Sequence, residues 1–97
     1  MKSIEENTKV DPDNYFSAAV YYLETGRDLN QALVWINEAV KSNPGAFWMT
    51  HQKAKIQKAL GDKKGAAETA TISLASSKEA KNRDYQMMNE NLIKSLK

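Results

Sequence analysis

The chain has 97 residues, no cysteine and a formal net charge of +2, which limits it to one small domain without a disulfide framework, a thiolate nucleophile or a cysteine-ligated metal. A domain of this size buries only about 60–65% of the surface that its unfolded chain exposes, so a large enclosed substrate cavity is not expected. The charge is uneven, with a net −3 over residues 1–46 and +5 over residues 47–97. The basic half includes a cluster of five lysines, Lys53, Lys55, Lys58, Lys63 and Lys64.

The beginning of the chain carries no recognisable structural or targeting signal. No run approaches the roughly 20 apolar residues that cross a bilayer, and the first nine residues lack the apolar segment of a signal peptide. Residues 1–10 are polar and aperiodic, which is typical of a flexible tail. We therefore expect a soluble chain with one folded domain over residues 11–97.

The first predicted helix spans about residues 12–25. Asp11 can accept free amide protons at its start, and Pro12 needs no donor in the first turn. Gly26 supplies the left-handed residue that ends the helix. The apolar face between them comprises Tyr15, Phe16, Ala18, Ala19, Val20, Tyr22 and Leu23.

Two further helices are predicted over about 29–42 and 45–60. Asp28 followed by Gln31 fits a capping box at the start of the second helix, which ends at Asn43-Pro44-Gly45. Its apolar stripe comprises Leu29, Ala32, Leu33, Ile36, Ala39 and Val40. The third helix runs through Trp48, Ala54, Ile56 and Ala59 and ends at Leu60-Gly61.

The fourth and fifth helices are predicted over about 63–77 and 83–96. The fourth follows Asp62 and is rich in small residues, so its neighbours must approach closely. The fifth places Tyr85, Met88, Leu92 and Leu96 at intervals of 3, 4 and 4 residues, which is a helical period. No segment alternates with period two, and the pattern predicts an all-α fold of antiparallel helical hairpins stacked as a short α-solenoid.

Two turns of the chain repeat each other. Gly26 and Gly61 are 35 residues apart, and Ala32 and Ala66 are 34 apart. A period of about 34 is typical of helix-turn-helix repeat arrays, which form binding surfaces.

The pattern resembles the tetratricopeptide repeat. The positions that fit its first copy are Tyr15, Ala18, Ala19, Tyr22, Gly26, Ala32, Ile36, Ala39 and Pro44, with one extra residue in the turn after Gly26. The second copy retains Ala54, Gly61, Ala66 and Ala70 but has Thr50, Lys53 and Gln57 where bulkier apolar residues are usual. The resemblance implies one repeat over about 12–45, a degenerate second over about 46–80, and a terminal capping helix over about 83–96.

A second resemblance covers nearly the whole chain. It is carried by the segments 21–24, 28–36, 53–57, 60–66 and 84–90, together with Phe47-Trp48. They look like the C-terminal region of uncharacterised bacterial envelope proteins in which a β-rich domain of unknown function precedes a tetratricopeptide-like segment. If the chain is a fragment of such a protein, the resemblance implies a periplasmic or envelope location.

In tetratricopeptide arrays the first helix of each pair lines a concave face. The resemblance therefore implies a groove for a partner at Phe16, Val20, Trp48, His51, Lys55 and Lys58. An aromatic ring flanked by lysines suits an acidic or amphipathic peptide, because the ring supplies buried area and the lysines steer and pair. The structural alternative is that Phe16 and Trp48 fill the core while the lysines only hydrate a helix. The carboxylate clamp known in some of these arrays needs Lys and Asn where Phe16 and Val20 stand, so that binding mode is disfavoured.

The sequence favours neither a metal or catalytic site nor a nucleic-acid-binding surface. His51 is the only histidine and lies among lysines, so we expect a solvated or groove-edge side chain, no metal site and no cofactor. No nucleophile, base and orienting acid can be assembled, and no catalytic residue is predicted. The lysines near Trp48 could bind nucleic acid, but the low net charge disfavours it.

Self-association is the remaining alternative. Trp35 stands beside Ile36 and is expected off the hairpin core, where it could meet the N-terminal tail, a neighbouring domain or a second copy of the chain. Two repeats and one helix are few for a continuous core. The sequence thus predicts a non-catalytic protein-interaction module, or else a homodimerising assembly domain.

Overall fold

The computed structural model describes residues 14–96 and contains the five helices that the sequence predicts. They are α1 (Tyr15–Thr25), α2 (Leu29–Ser42), α3 (Phe47–Ala59), α4 (Lys63–Glu79) and α5 (Arg83–Ser95). Residues 14–96 contain no strand, and the all-α prediction is confirmed. The predicted tail over 1–10 and the predicted helix start at Asp11-Pro12-Asp13 lie outside the described residues.

Side-chain caps fix the starts of three helices. The side-chain oxygens of Asp28, Asp62 and Asn82 each accept a hydrogen bond from the backbone N–H three residues further on, at 3.1, 2.9 and 3.0 Å. Each cap satisfies one of the amide protons that a helix leaves free in its first turn. These caps place the boundaries of α2, α4 and α5 within a residue of the predicted starts.

Three of the four turns contain a residue in the left-handed region. Gly26 and Gly61 adopt φ values of 69° and 89°, as their predicted role in ending α1 and α3 requires. Lys81 takes the same role after α4 with φ 59°, although a side chain makes this conformation less favourable. Helix α4 runs two residues beyond its predicted end, and within it the hydroxyl of Ser77 donates to the carbonyl of Leu74 at 2.8 Å.

The helices form two layers. Consecutive helices are joined by three or four residues and pack on each other, which makes them antiparallel neighbours. Helices α1, α3 and α5 therefore run in the same direction, and α3 contacts both α1 and α5. Helices α2 and α4 lie on the other side and do not contact each other. Because α3 touches all four other helices, it is the centre of the stack.

The buried positions repeat along the chain. Ala19 and Ala54 are 35 residues apart, and both are fully buried. The buried pairs that are 34 residues apart include Ala32 with Ala66, Ile36 with Ala70, and Ala39 with Ser73. The two hairpins therefore bury equivalent positions, although the second uses smaller and more polar side chains.

Trp35 is part of the core, and the expectation that it lies off the core is wrong. It is only 3% exposed, and its ring packs against the Tyr22 ring with centroids 4.8 Å apart. Ala32, Trp35, Ile36 and Ala39 are all buried and follow the i, i+3, i+4, i+7 spacing of one helix face. The proposed role of Trp35 in self-association therefore lacks an exposed side chain.

Candidate functional site

The six residues predicted to line a groove differ in their exposure. Trp48 is 41% exposed, and Lys55 and Lys58 are also exposed. Phe16 and Val20 on α1 are half-buried, and Phe16 packs against the core of the first hairpin. The surface that remains available is therefore centred on α3.

One face of α3 combines an aromatic ring with positive charge. Trp48 and Lys55 are seven residues apart, which places them on the same helix face, and Lys58 follows less than one turn later. The Lys58 ammonium donates to the Ser95 hydroxyl on α5 at 3.0 Å. We refer to Trp48, Lys55 and Lys58 as the α3 surface.

Helix α5 lies parallel to α3 in a fixed register. Phe47 meets Tyr85, with ring centroids 5.2 Å apart, and the contact between Lys58 and Ser95 lies at the other end of both helices. The separations along the chain are 38 and 37 residues. The α3 surface is thus bordered along its length by α5.

An aromatic cluster supports the exposed tryptophan. The rings of Phe47 and Trp48 meet edge to face with centroids 5.1 Å apart, and Phe47 also meets Tyr85 in this manner. Edge-to-face aromatic pairs add about 0.5–1.5 kcal/mol beyond the area they bury. The cluster fixes one side of Trp48 and leaves part of the ring in solvent. The helical period places Tyr85 on the apolar face of α5 but does not reveal its contact with Phe47 on α3.

His51 is buried, and the prediction of a solvated histidine is wrong. It is 3% exposed and lies under α5, whose Tyr85 ring is 5.5 Å from the imidazole, centroid to centroid. Its Nδ1 is 2.7 Å from the side-chain oxygen of Asn89, which is fully buried. The prediction was based on the neighbours of His51 along α3, and these do not indicate that α5 packs over the imidazole.

The contact between His51 and Asn89 belongs to a chain of buried hydrogen bonds. The Asn89 amide nitrogen donates to the Ser73 hydroxyl at 2.9 Å, and Ser73 donates to the Phe47 carbonyl at 2.8 Å. With the Asn89 oxygen as acceptor, neutral His51 must carry its proton on Nδ1. The chain joins α3, α4 and α5, and we call His51, Ser73 and Asn89 the polar network.

The burial of His51 favours its neutral form. Desolvation is the main cause that lowers the pKa of His51 below its usual 6.5, and the nearby charge of Lys55 lowers the pKa further. The hydrogen bond with Asn89 acts in the opposite direction. The imidazole is therefore neutral near pH 7 and does not add positive charge to the α3 surface.

The rest of residues 14–96 offers fewer features of a binding site than the α3 surface does. A pocket of about 280 Å³ lies at the turn between α1 and α2 beside Tyr22, Arg27, Asp28 and Gln31, but the Asp28 carboxylate already caps α2. Across residues 14–96, no three His, Asp or Glu side chains come together as metal ligands. None of the helices described is long and apolar enough to cross a membrane.

Comparison with family models finds no match, and searches of curated proteins and of solved structures also return no significant match. The class of the protein is therefore defined by its fold, an all-α stack of helical hairpins.

Proposed function

We propose that this chain is a non-catalytic protein-interaction module with a tetratricopeptide-like architecture, which binds an acidic or amphipathic segment of a partner or of a neighbouring domain. The observation that carries the proposal is the α3 surface, where the partly exposed Trp48 lies on the same helix face as the exposed Lys55 and Lys58.

The repeated burial pattern supports the architectural part of the proposal. Buried positions such as Ala32 with Ala66 and Ile36 with Ala70 recur at 34 or 35 residues, the period typical of arrays whose successive hairpins pack side by side. Such arrays bind partners on extended surfaces formed by equivalent helices. Here the equivalent helices α1, α3 and α5 lie in one layer.

The chemistry of the α3 surface supports the choice of partner. Trp48 combines a large apolar area with few rotatable bonds, so burying it against a partner is favourable and loses little conformational entropy. Lys55 and Lys58 attract carboxylates at long range and pair with them at short range. Phe16 and Val20 offer half-buried apolar area on α1, a helix that contacts α3, whereas His51 is too deeply buried to contact a partner.

A phage-displayed library of random linear peptides tests the proposal. The library is selected on the wild-type chain, and binding of the enriched peptides is then measured on two double variants. The test variant is Trp48→Ala with Lys55→Glu. The control is Val34→Ala with Lys41→Glu, which removes an exposed apolar residue and an exposed lysine from α2.

We expect enriched peptides to contain acidic and apolar residues, to bind the control variant like the wild type, and to lose at least about tenfold in affinity on the test variant. Both variants should retain the helical circular dichroism of the wild type. The proposal is wrong if no peptide exceeds a scrambled-sequence background, or if the two variants bind equally.

A DNA titration of the wild-type chain tests the nucleic-acid alternative. Fluorescein-labelled single-stranded DNA is titrated at about 50 mM and about 200 mM salt, a range over which phosphate contacts weaken steeply. Tight, salt-sensitive binding of DNA together with an absence of selected peptides would overturn the proposal in favour of a nucleic-acid surface.

A further inference from the structure

Helix α5 is attached to the stack through a polar contact. Asn89 is the one buried residue of α5, whereas every other helix buries at least two residues. Both polar groups of the Asn89 amide are used, since its oxygen accepts from His51 and its nitrogen donates to Ser73. The apolar residues of α5 are half-buried or exposed. The docking of α5 therefore depends on the polar network to an unusual degree.

A charged His51 does not fit beneath α5. Protonation adds an N–H at Nε2 while Nδ1 is already bonded to Asn89, so the new donor needs an acceptor or water. His51 as a whole is 3% exposed, and its imidazole contacts Tyr85 and Asn89 of α5. Full hydration of an imidazolium therefore requires these two residues of α5 to move away from α3.

The charged groups around His51 reinforce this conflict. On α3, Lys55 carries a like charge one turn away, and on α5 the uncharged Tyr85 ring faces the imidazole. From α4 the network presents the Ser73 hydroxyl, which is neutral. The charged side chains of the four surrounding helices are all exposed to solvent: Glu24, Glu38, Lys41, Lys63, Lys64, Glu68, Lys78, Glu79, Arg83, Asp84, Glu90 and Lys94.

We propose that protonation of His51 releases α5 from the stack, which makes the chain sensitive to mild acid at its terminal helix. Of the other helices within residues 14–96, α5 contacts only α3 and α4, so it can leave while the first hairpin stays folded. Its release separates Tyr85 from Phe47 and Ser95 from Lys58, and it uncovers the side of α3 that carries His51. The lowered pKa of His51, caused mainly by burial, agrees with this arrangement. The release requires no partner and stands apart from the proposed binding function.

Amide hydrogen exchange of the wild-type chain tests the release. Protection of the α5 amides is compared with that of the α2 amides between about pH 7.5 and about pH 5, after correction for intrinsic exchange rates. Below pH 6.5 we expect α5 protection to fall by up to about tenfold per pH unit while α2 protection stays constant. An NMR titration of the same sample should give His51, the only histidine, a pKa below 6.5.

A double variant, His51→Phe with Asn89→Ala, serves as the control. It places at both positions the residue found 35 positions earlier, Phe16 and Ala54, and so removes the titrating group together with its hydrogen-bond partner. The α5 protection of this variant should not change with pH. The proposal is overturned if α5 and α2 of the wild type lose protection in parallel, if α5 protection is constant, if His51 titrates at or above its usual pKa, or if the variant shows the wild-type response. The wild-type measurements decide the question even if the variant does not fold.

Discussion

Ala54 and Asn89 lie 35 residues apart, and both are completely buried, but only Asn89 carries polar atoms into the packing between helices. The same contrast applies to the other members of the polar network. Phe16 stands 35 residues before His51, and Ala39 stands 34 residues before Ser73. The second half of the stack therefore has hydrogen bonds where the first half has apolar side chains.

Replacement of Asn89 by alanine should destabilise the fold. It leaves the buried N–H of His51 without an acceptor and creates a small cavity, which together lower the free energy of unfolding by about 1–3 kcal/mol. Urea unfolding followed by circular dichroism at about pH 7.5 measures the change. Asn91→Ala on the exposed side of α5 is the matched control and should change the free energy by less than about 0.5 kcal/mol. Equal effects of the two variants would contradict the role of the network.

Replacement of the whole network should be milder than loss of Asn89 alone. The triple variant His51→Phe, Ser73→Ala and Asn89→Ala removes every donor and acceptor among the three side chains, and an apolar interior without unpaired groups is not penalised. We expect its unfolding free energy to exceed that of Asn89→Ala, as measured by the same urea titration. A triple variant less stable than the single one would show that the network itself stabilises the junction.

The network also explains where sequence reasoning failed. The i, i+3, i+4 spacing identified the helices correctly, but in α5 it selected Met88 as an inward residue, and Met88 is 40% exposed. The buried neighbour is Asn89, which an apolar count overlooks. Extending the 35-residue period from Ala19 through Ala54 leads directly to Asn89, so the signal was present. Its partners His51 and Ser73 belong to other helices, and no local pattern can reveal such a contact.

Stability should decrease as the solution becomes mildly acidic. The pKa of His51 is lowered in the folded chain from its usual 6.5, so the unfolded chain binds more protons between these two values and stability rises with pH there. The contribution of His51 is complete above about pH 6.5 and is lost as pH falls through the lowered pKa. The urea midpoint of the wild type should therefore fall from about pH 7.5 to about pH 5, relative to that of His51→Phe with Asn89→Ala. Parallel midpoints would contradict the lowered pKa.

Truncation of Trp35 should disrupt folding rather than association. Trp35→Ala removes a core side chain that packs against Tyr22, and we expect a loss of about 3–5 kcal/mol, which is a large part of the stability of a small domain. Thermal unfolding measures this loss. Val34→Ala, at the adjacent and exposed position, should have an effect within about 0.5 kcal/mol. A Trp35→Ala variant with wild-type stability but altered mass in light scattering would restore the association hypothesis.

Glycine should be favourable at both of the left-handed turn positions Gly26 and Lys81. Lys81→Gly relieves a side chain at φ 59° and should stabilise the fold by up to about 1 kcal/mol, since the relief exceeds the added freedom of the unfolded chain. Gly26→Ala introduces the strain at φ 69° and should destabilise by about 1 kcal/mol. Melting temperatures of the two variants check the signs. Lys78→Gly, in the last turn of α4, should destabilise by up to about 1 kcal/mol and controls for glycine itself.

The same turns show which parts of the fold are easiest to predict. Gly26, Gly61, Asp28 and Asp62 identify helix ends because their effects are local. The exposure of Trp48 could not be predicted in this way, since it depends on how Phe47 meets Tyr85 on a distant helix. The burial of Trp35 could have been predicted in part from the sequence. Its spacing from Ala32 and Ile36 indicates burial if the apolar face of α2 is taken to include position 35.

The contacts of α3 determine which helices are destabilised by a substitution elsewhere in the fold. Among residues 14–96, α1 and α2 contact the rest of the fold only through α3, because α2 and α4 do not touch and α5 contacts only α3 and α4. A destabilising substitution in α2 should lower the local stability of one end of the stack, and one in α5 that of the other end. A destabilising substitution in the middle of α3, at Ala54 for example, should lower the local stability of both ends.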